Sequence, residues 1–310
     1  NGKDRLFFFF DWESLRERKA LTRTGFLPLA VERAGNFSGF SRVLYDPNTR
    51  AYNAAGGVVS TNPFPNNVIP ANRIHRNSAK VLNDFYPLPN TPSTSANFVS
   101  NEGRSSDSDQ FTYKADWAEN SNSRWFFRFS YANELAYIPN FTTIPPGQGN
   151  NVDVKVRQGI MNNTRIFSAN KVNEAKFGVS RLEAGNVQTN AFGRNVVAEL
   201  NIPDVSRDFP LYNGVPFFQI SGFSSSGDCN DCPFVNWDTT IQFKDDFSWT
   251  RGRHSLKLGT DIRRTRYNQI GAVVPRGRFT WDGRYTQNPT VANAAATAAY
   301  TRGVMLVPHS

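Results

Sequence analysis

The sequence has few of the residues on which catalytic and metal sites depend. Its 310 residues include three histidines and two cysteines. No apolar run approaches the roughly 20 residues that a transmembrane helix needs. The histidines, His75, His254 and His309, belong to no recognisable catalytic motif, and no HExxH or GxSxG motif occurs. We therefore expect neither an enzyme nor a helical membrane protein, and the sequence assigns no catalytic, cofactor-binding or metal-binding residue.

The two cysteines lie close together in the segment "GDCNDCPF". Cys229 and Cys232 form a CxxC pair, which alone indicates metal or redox chemistry only weakly. No second pair and no nearby histidine completes a zinc ligand set. The sequence leaves two alternatives for this pair, a local disulfide or two free thiols in a loop.

The chain is basic and polar. Lysine and arginine number 35 against 26 acidic residues, which gives a formal net charge of +9, and the mean hydropathy is -0.50. The arginines are scattered among strands and loops instead of forming one basic run, so nucleic acid is not a predicted partner. The simple explanation of the charge is a solvated or lumen-facing surface, and attraction to anionic lipid headgroups is favoured over binding to nucleic acid.

Aromatic residues are abundant and follow a period of two. They make up 14 % of the chain, and segments such as "DQFTYKADW" and "RWFFRFSYA" alternate ring-bearing and polar residues. This alternation predicts β-strands, and the short polar segment between the two predicts a hairpin. The pattern returns around the turns "SANK" and "TRGR". A first strand is predicted at "RLFFFFDWE" and a last one at "RGRFTWDGRY", which gives about eight strands.

The alternation also predicts which side chains share a face of the sheet. A shift of one residue would invert every assignment, so the two sets are either both right or both wrong. The residues predicted to face lipid are Phe111, Tyr113, Phe127, Phe129, Ile241, Phe243, Leu256 and Leu258. The residues predicted to face the lumen are Lys114, Asp116, Arg128, Lys176, Gln242, Lys244, Lys257 and Asp261. Trp117, Trp125 and Trp249 lie next to short turns, as in an interfacial aromatic girdle.

Long and short connections alternate along the chain. Long stretches rich in Asn, Gly, Pro and Ser cover residues 15–108, 134–155 and 183–236, far above the usual loop length of about 4–6 residues. A transmembrane barrel sorts its connections in this way, with short periplasmic turns and long outer loops. The predicted fold is therefore all-β, with antiparallel hairpins forming part of a transmembrane β-barrel that carries long extracellular loops.

Two features of the first long stretch attract attention. In "NSAKVLNDFY", residues 77–86, the spacing of Ala79, Leu82 and Phe85 predicts a short helix that packs within the loop. In "RSSDSDQF", Asp107 and Asp109 are possible ligands for a cation at the loop rim. Their spacing alone is too weak to predict a calcium site.

Several motifs in consistent order resemble one known family. They are "DRLFFFFDWESLRERKA", "AVERAGNFSG", "LYDPNT", "PFPNNVIPANRI", "AKVLNDFYPLPN", "NFVSNEGRSSDSDQFTYKADW", "FQISGFSSSGD" and "DDFSWTRGRHSLKLGTDIRR". Together they resemble the Oar-like TonB-dependent receptors over roughly residues 3 to 286. Such receptors are outer-membrane proteins with a carboxypeptidase-regulatory-like domain, a plug and a C-terminal barrel.

The resemblance implies a domain division and partners. Residues 1–286 would be the N-terminal part of the receptor barrel, just after the plug, and residues 287–310 an atypical tail that does not look like barrel sequence. No regulatory-like domain, plug or TonB box precedes the first strand, so the chain resembles a fragment. The implied partners are outer-membrane lipid, an unknown extracellular substrate, and the TonB energy-transducing complex through the missing plug region.

Two classes of function remain. The first is a TonB-dependent outer-membrane receptor that binds an extracellular substrate and imports it into the periplasm. The second is a surface adhesion or glycan-binding barrel protein without active transport. Substrate contacts are expected in the loops near residues 15–108 and 183–236, but the sequence names no substrate-binding residue.

Overall fold

The computed structural model describes residues 3–205 and 209–288, and it is mostly β. The strands, in chain order, are β1 (Leu6–Ala20), β2 (Arg23–Gly25), β3 (Ala51–Tyr52), β4 (Val58–Ser60), β5 (Phe98–Ser100), β6 (Gly103–Asn120), β7 (Ser123–Ile138), β8 (Asn150–Ser168), β9 (Lys171–Gln188), β10 (Phe217–Ile220), β11 (Phe234–Arg251), β12 (His254–Gly271) and β13 (Arg278–Trp281). The α-helices are α1 (Ala30–Arg33), α2 (Arg76–Phe85) and α3 (Val196–Glu199), and four single-turn 3-10 helices lie in the described connections. None of these described helices is both long enough and apolar enough to cross a membrane.

Seven long strands form one antiparallel sheet in the order β1-β6-β7-β8-β9-β11-β12. At one end of this sheet the connections are two-residue turns, at residues 121–122, 169–170 and 252–253. At the other end lie the long connections. The prediction that short and long connections are sorted onto opposite ends of antiparallel hairpins is therefore confirmed.

The strands are longer than the sequence predicted. The loops predicted at 15–108, 134–155 and 183–236 span only residues 21–102, 139–149 and 189–233. The predicted boundaries were wrong because the outer strand ends carry charged and polar side chains on both faces. In β1, for example, Arg16, Glu17 and Arg18 follow one another within the strand.

The segment predicted as a further sheet strand has a different partner. Arg278–Trp281 forms β13, which pairs in parallel with β10 among the long connections and does not extend the main sheet. The prediction for "RGRFTWDGRY" was wrong in this respect. The alternation there reflects packing on the loop core, where Phe279 and Trp281 lie against Phe218.

The register confirms that the two predicted sets of side chains lie on opposite faces. One row across the sheet consists of Phe8, Ala115, Phe127, Met161, Phe177, Phe243 and Ile262. The adjacent row, on the other face, consists of Phe7, Asp116, Phe126, Asn162, Lys176, Lys244 and Asp261. We call the first the apolar face and the second the polar face.

The tryptophans predicted to form a girdle lie near the short turns. Trp117 and Trp125 are paired directly across β6 and β7. Trp249 lies two residues before the end of β11. Its ring is 5.3 Å from the ammonium of Lys171. Amphipathic rings at this end of the strands suit the membrane–water interface.

The long connections fold together into what we call the loop layer, the described residues within 21–102, 139–149, 189–233 and 272–288. Its buried core consists of Leu27, Phe37, Leu44, Phe64, Ile69, Val81, Leu82, Phe85, Tyr86, Phe98, Val196, Leu200, Val215, Phe218 and Ile220. Within the described residues, this core takes no side chain from the seven long strands. The loops are therefore a folded unit above one end of the sheet.

Candidate binding surface on the loop layer

Helix α2 anchors the first long loop, close to where the sequence predicted a helix at 77–86. Its buried residues are Val81, Leu82 and Phe85. The Arg33 guanidinium donates to the backbone oxygens of Leu82 and Tyr86, at 2.7 and 2.8 Å. These bonds satisfy carbonyl groups at the end of the helix that have no partner within it. Burial lowers the pKa of Arg33.

Hydrogen bonds join the α2 segment to the connection between β9 and β11, and that connection to the one between β7 and β8. The Tyr86 hydroxyl donates to the backbone oxygen of Phe218 at 3.2 Å, and burial raises its pKa above the ordinary range. The Ser226 hydroxyl donates to the Phe85 oxygen at 2.7 Å. Gln148, from the connection between β7 and β8, accepts from the Gly227 N–H at 2.7 Å. Three connections distant in sequence are thus held in one arrangement.

An ion pair holds the middle of the first loop. The Arg73 guanidinium donates to both carboxylate oxygens of Asp46, at 2.8 and 2.9 Å. Asp46 also accepts from the backbone N–H of Asn48 at 3.0 Å. Hydrogen bonding to this carboxylate raises the pKa of Arg73. A planar guanidinium bound through two nitrogens fixes direction as well as distance.

The cysteine pair forms a disulfide, which resolves the two alternatives that the sequence left open. Cys229 and Cys232 are bonded, with their Cα atoms 5.4 Å apart. The Arg276 side chain donates to the backbone oxygens of both cysteines, at 3.3 Å for Cys232, and burial lowers its pKa. Nearby, Asp228 accepts from the Val215 N–H at 2.8 Å. A structural disulfide fits an oxidising compartment outside the cytoplasm.

A cleft of about 340 Å³ opens between the segment around α1 and the turn that precedes β5. Phe26, Leu29, Val31 and Phe40 supply its apolar wall. The opposite wall is polar and is formed by Thr91, Ser93, Thr94 and Asn97 together with Pro92. A mostly apolar concavity of this size with a few polar groups is typical of small-molecule sites.

Hydrogen bonds hold the polar wall of the cleft in place. The Asn97 side chain accepts from the Leu27 N–H at 2.7 Å and donates to the Leu27 oxygen at 2.8 Å. The Thr91 hydroxyl donates to the Ala96 oxygen at 3.0 Å. Leu29 and Val31 remain 42 % and 54 % exposed. The cleft therefore offers accessible apolar surface on a preformed frame, which lowers the entropic cost of binding.

The two acids proposed as a cation site form ion pairs with arginines instead. Asp107 forms an ion pair with Arg18 at 2.5 Å, and Asp109 one with Arg16 at 2.7 Å. Both acids lie within β6, not in a loop. Within the described part of the chain, no cluster of three or more potential metal ligands occurs. The cation hypothesis for Asp107 and Asp109 is therefore abandoned.

The sequence did not predict the residues that line the cleft. Substrate contacts were expected in the first long loop, which does contain the cleft, but no residue was named. The available signal was the group of apolar residues between Phe26 and Phe40 in an otherwise polar stretch. Its partner wall lies some sixty residues further along the chain, beyond the reach of local patterns.

The sheet and the loop layer together define a class of protein. One face of the sheet is apolar and rich in rings, the other carries lysine–acid pairs, and the hairpin turns and folded loops occupy opposite ends. These are the features of an outer-membrane β-barrel. Residues 2–305 match the family model described as "Outer membrane beta barrel domain", so the chain belongs to this family and to the outer membrane. No match was found among curated proteins or among solved structures.

Proposed function

We propose that the protein is the receptor part of a TonB-dependent outer-membrane importer. The observation that carries the proposal is the loop layer, in which long connections share one core and present a preformed apolar cleft above the sheet. A protein that only needed to cross the membrane would have no use for such a layer. Capture of an extracellular substrate is the function that it supports best.

The polar face of the sheet supports the transport half of the proposal. Lys114 and Asp116 form an ion pair at 2.9 Å, and Lys244 and Asp246 one at 3.0 Å. Charged groups are costly to bury unless they are paired or wet. A lumen that holds a polar plug or polar cargo accommodates them. The TonB complex would act on that plug, and no enzymatic step is needed.

Substitutions in the cleft test the receptor proposal. We expect the double variant Leu29→Glu and Val31→Glu to lose uptake, because both side chains are exposed in the cleft and charge would oppose an apolar ligand. Val59→Glu is the matched control, since Val59 is similarly exposed, at 50 %, but lies outside the cleft. Uptake is measured with ¹⁴C-labelled peptide digests fed to whole cells. Equal uptake by both variants would refute a role for the cleft.

Deletion of residues 205–235 would be a poorer test. The segment contains Phe217, Phe218 and Ile220, all of which are buried in the loop layer. Its removal would unfold the layer and abolish binding whether or not the segment touches substrate. Point substitutions at exposed positions avoid this ambiguity.

An adhesin without active transport is the second candidate. Phe141 and Phe192 are both 70 % exposed on the loop layer, as expected of rings that stack on a partner surface. Depletion of TonB separates the two functions. We expect uptake of the labelled digest to stop while surface binding persists. Uptake that continues unchanged without TonB would favour the adhesin.

A further inference from the structure

A hollow of about 670 Å³ lies on the apolar face of the sheet. Ten of its fourteen lining residues belong to that face, and the other four are their immediate chain neighbours. Gly159, on β8, is one of the lining residues, and a Cβ placed there would meet no atom within 4 Å. Phe129 and Val179, the cross-strand partners of Gly159, border the hollow on either side. The missing side chain at Gly159 leaves the hollow open between bulky neighbours on the apolar face of the sheet.

A row of arginines lies directly beyond this hollow toward the loop layer. Arg157, Arg181 and Arg266 belong to one cross-strand row. On each strand this row is two residues nearer the loop layer than the row of Gly159 and Val179. Arg157 and Arg181 share a single acid, Glu183, at 3.1 and 2.8 Å. Two cations on one carboxylate leave an uncompensated positive charge. We call Arg157, Arg181 and Arg266 the arginine row.

The height of the row matches the outer headgroup region. Strands that rise about 3.3 Å per residue and tilt by about 40° gain about 2.5 Å of height per residue. Arg157 lies eleven residues from the turn end of β8 at Ser168, and Arg181 ten residues from that of β9 at Lys171. Their heights are then about 28 and 25 Å, at the top of an apolar band about 25 Å tall.

The surrounding surface is positive as well. We consider the positions on the apolar face of β8, β9, β11 and β12 that lie ten or more residues from the turn end of their strand. The basic residues at these positions are Lys155, Arg157, Arg181, Arg264 and Arg266. The acidic residues there are Asp153 and Glu183. Within the described residues, no carboxylate forms a salt bridge with Arg264 or Arg266. Five cations against two anions favour an anionic partner at the membrane surface.

We propose that the hollow and the arginine row together bind one phosphorylated lipid of the outer leaflet. An acyl chain occupies the groove over Gly159, and a headgroup phosphate accepts hydrogen bonds from Arg157 and Arg181. Guanidinium groups suit phosphate because they donate two parallel hydrogen bonds. The arginine row lies next to the apolar groove on the side of the loop layer. A lipid headgroup lies beyond its acyl chain in the same order.

The proposal is tested with the protein in nanodiscs that contain bis-phosphorylated lipid A or its dephosphorylated form as the probe. Lipid retained after detergent extraction is counted by native mass spectrometry. We expect the phosphorylated form to be retained preferentially. Arg157→Gln combined with Arg181→Gln should lower that retention about thirty-fold, since each basic residue near an anionic surface contributes about five-fold. Glu183→Gln should raise it.

Two further variants separate the parts of the site. Gly159→Leu fills the groove, so it should lower retention of both lipid forms. Arg264→Gln should weaken retention of the phosphorylated form about five-fold. Arg263→Gln, its neighbour on the polar face, is the matched control and should have no effect. Equal retention of the two lipid forms, or equal losses for the Arg263 and Arg264 variants, would overturn the proposal.

Discussion

The sheet and the loop layer use apolar side chains in opposite ways. In the sheet, Phe8 and Leu258 are 75 % and 68 % exposed, whereas Leu27 and Val196 in the loop layer are fully buried. The loop layer folds around a core as a water-soluble domain does, while the sheet leaves its rings exposed on one face, as expected of a barrel wall in lipid. One chain therefore contains two regions stabilised by different surroundings.

The largest expected effect separates the two regions directly. Phe218 is 2 % exposed and stacks on Phe85 and Phe279 in the loop core. Phe218→Ala should lower the stability of the loop layer by about 3–5 kcal/mol, because it leaves a cavity. Hydrogen exchange should show lost protection in α2 and unchanged protection in β7 and β8. Phe141→Ala, at an exposed position, is the control, and loss of protection throughout the sheet would show that the regions do not unfold separately.

A charge placed on the apolar face should have the next largest effect. Phe127→Arg puts a cation on the lipid side near the middle of the membrane and should cost about 2–4 kcal/mol. Phe126→Arg places the same change one residue away on the polar face and should cost much less, because a lumen-facing charge is not transferred into lipid. Urea unfolding in vesicles measures both. A larger cost at Phe126 would reverse the assignment of lipid and lumen faces.

Within the loop layer, a buried ion pair should contribute more to stability than an exposed one. Arg73→Gln removes the partner of a carboxylate that is only 8 % exposed and should cost about 2 kcal/mol. Arg284→Gln breaks the exposed pair with Asp282 and should have a much smaller effect on stability, because water screens an exposed ion pair. Thermal unfolding of the loop layer, followed by near-ultraviolet circular dichroism, gives both values. Equal costs would show that burial of Asp46 adds nothing.

The smallest expected effect is a dependence of the stability of the loop layer on pH. Hydrogen bonds from Lys80 and Arg194 lower the pKa of Asp84, and Arg194 lowers that of Glu199. A lowered carboxyl pKa in the folded state stabilises the protein above the ordinary value of about 4, and this stabilisation is lost as the pH falls through the folded value. Exchange protection in α2, corrected for intrinsic rates, should therefore drop between pH 6 and pH 3. The drop should be smaller in Arg194→Gln, and an identical drop would assign the effect to other carboxyls.

Sequence alone predicted the hairpins of the main sheet and the faces of their strands, because alternation is a local pattern. Alternation in "DQFTYKADW" predicted that Tyr113 and Lys114 lie on opposite faces, and the register agrees. Strand ends were missed where the chain leaves the apolar band, since segments such as Arg16–Arg18 lose the contrast between the two faces. Helix α2 was predicted from the spacing of Ala79, Leu82 and Phe85, which is also a local pattern, although its buried residues are Val81, Leu82 and Phe85.

The loop layer and its cleft were beyond the reach of local patterns. Tyr86 and Phe218 are joined across 132 residues, and β10 pairs in parallel with β13 across about sixty. Nothing in the neighbourhood of either partner specifies the other. The cleft inherits this property, because its apolar and polar walls come from segments far apart in the chain.

The sorting of connections onto the two ends of the sheet also sets an order of events. Each two-residue turn closes a hairpin whose strands are neighbours in sequence, so little chain entropy is lost when β6 and β7, or β11 and β12, first meet. The contacts of the loop layer bring together segments that are over a hundred residues apart. We therefore expect hairpins to form early and the loop layer last, which makes the Tyr86–Phe218 contact a marker of completed assembly. A ligand that binds the layer would then select chains that have finished folding.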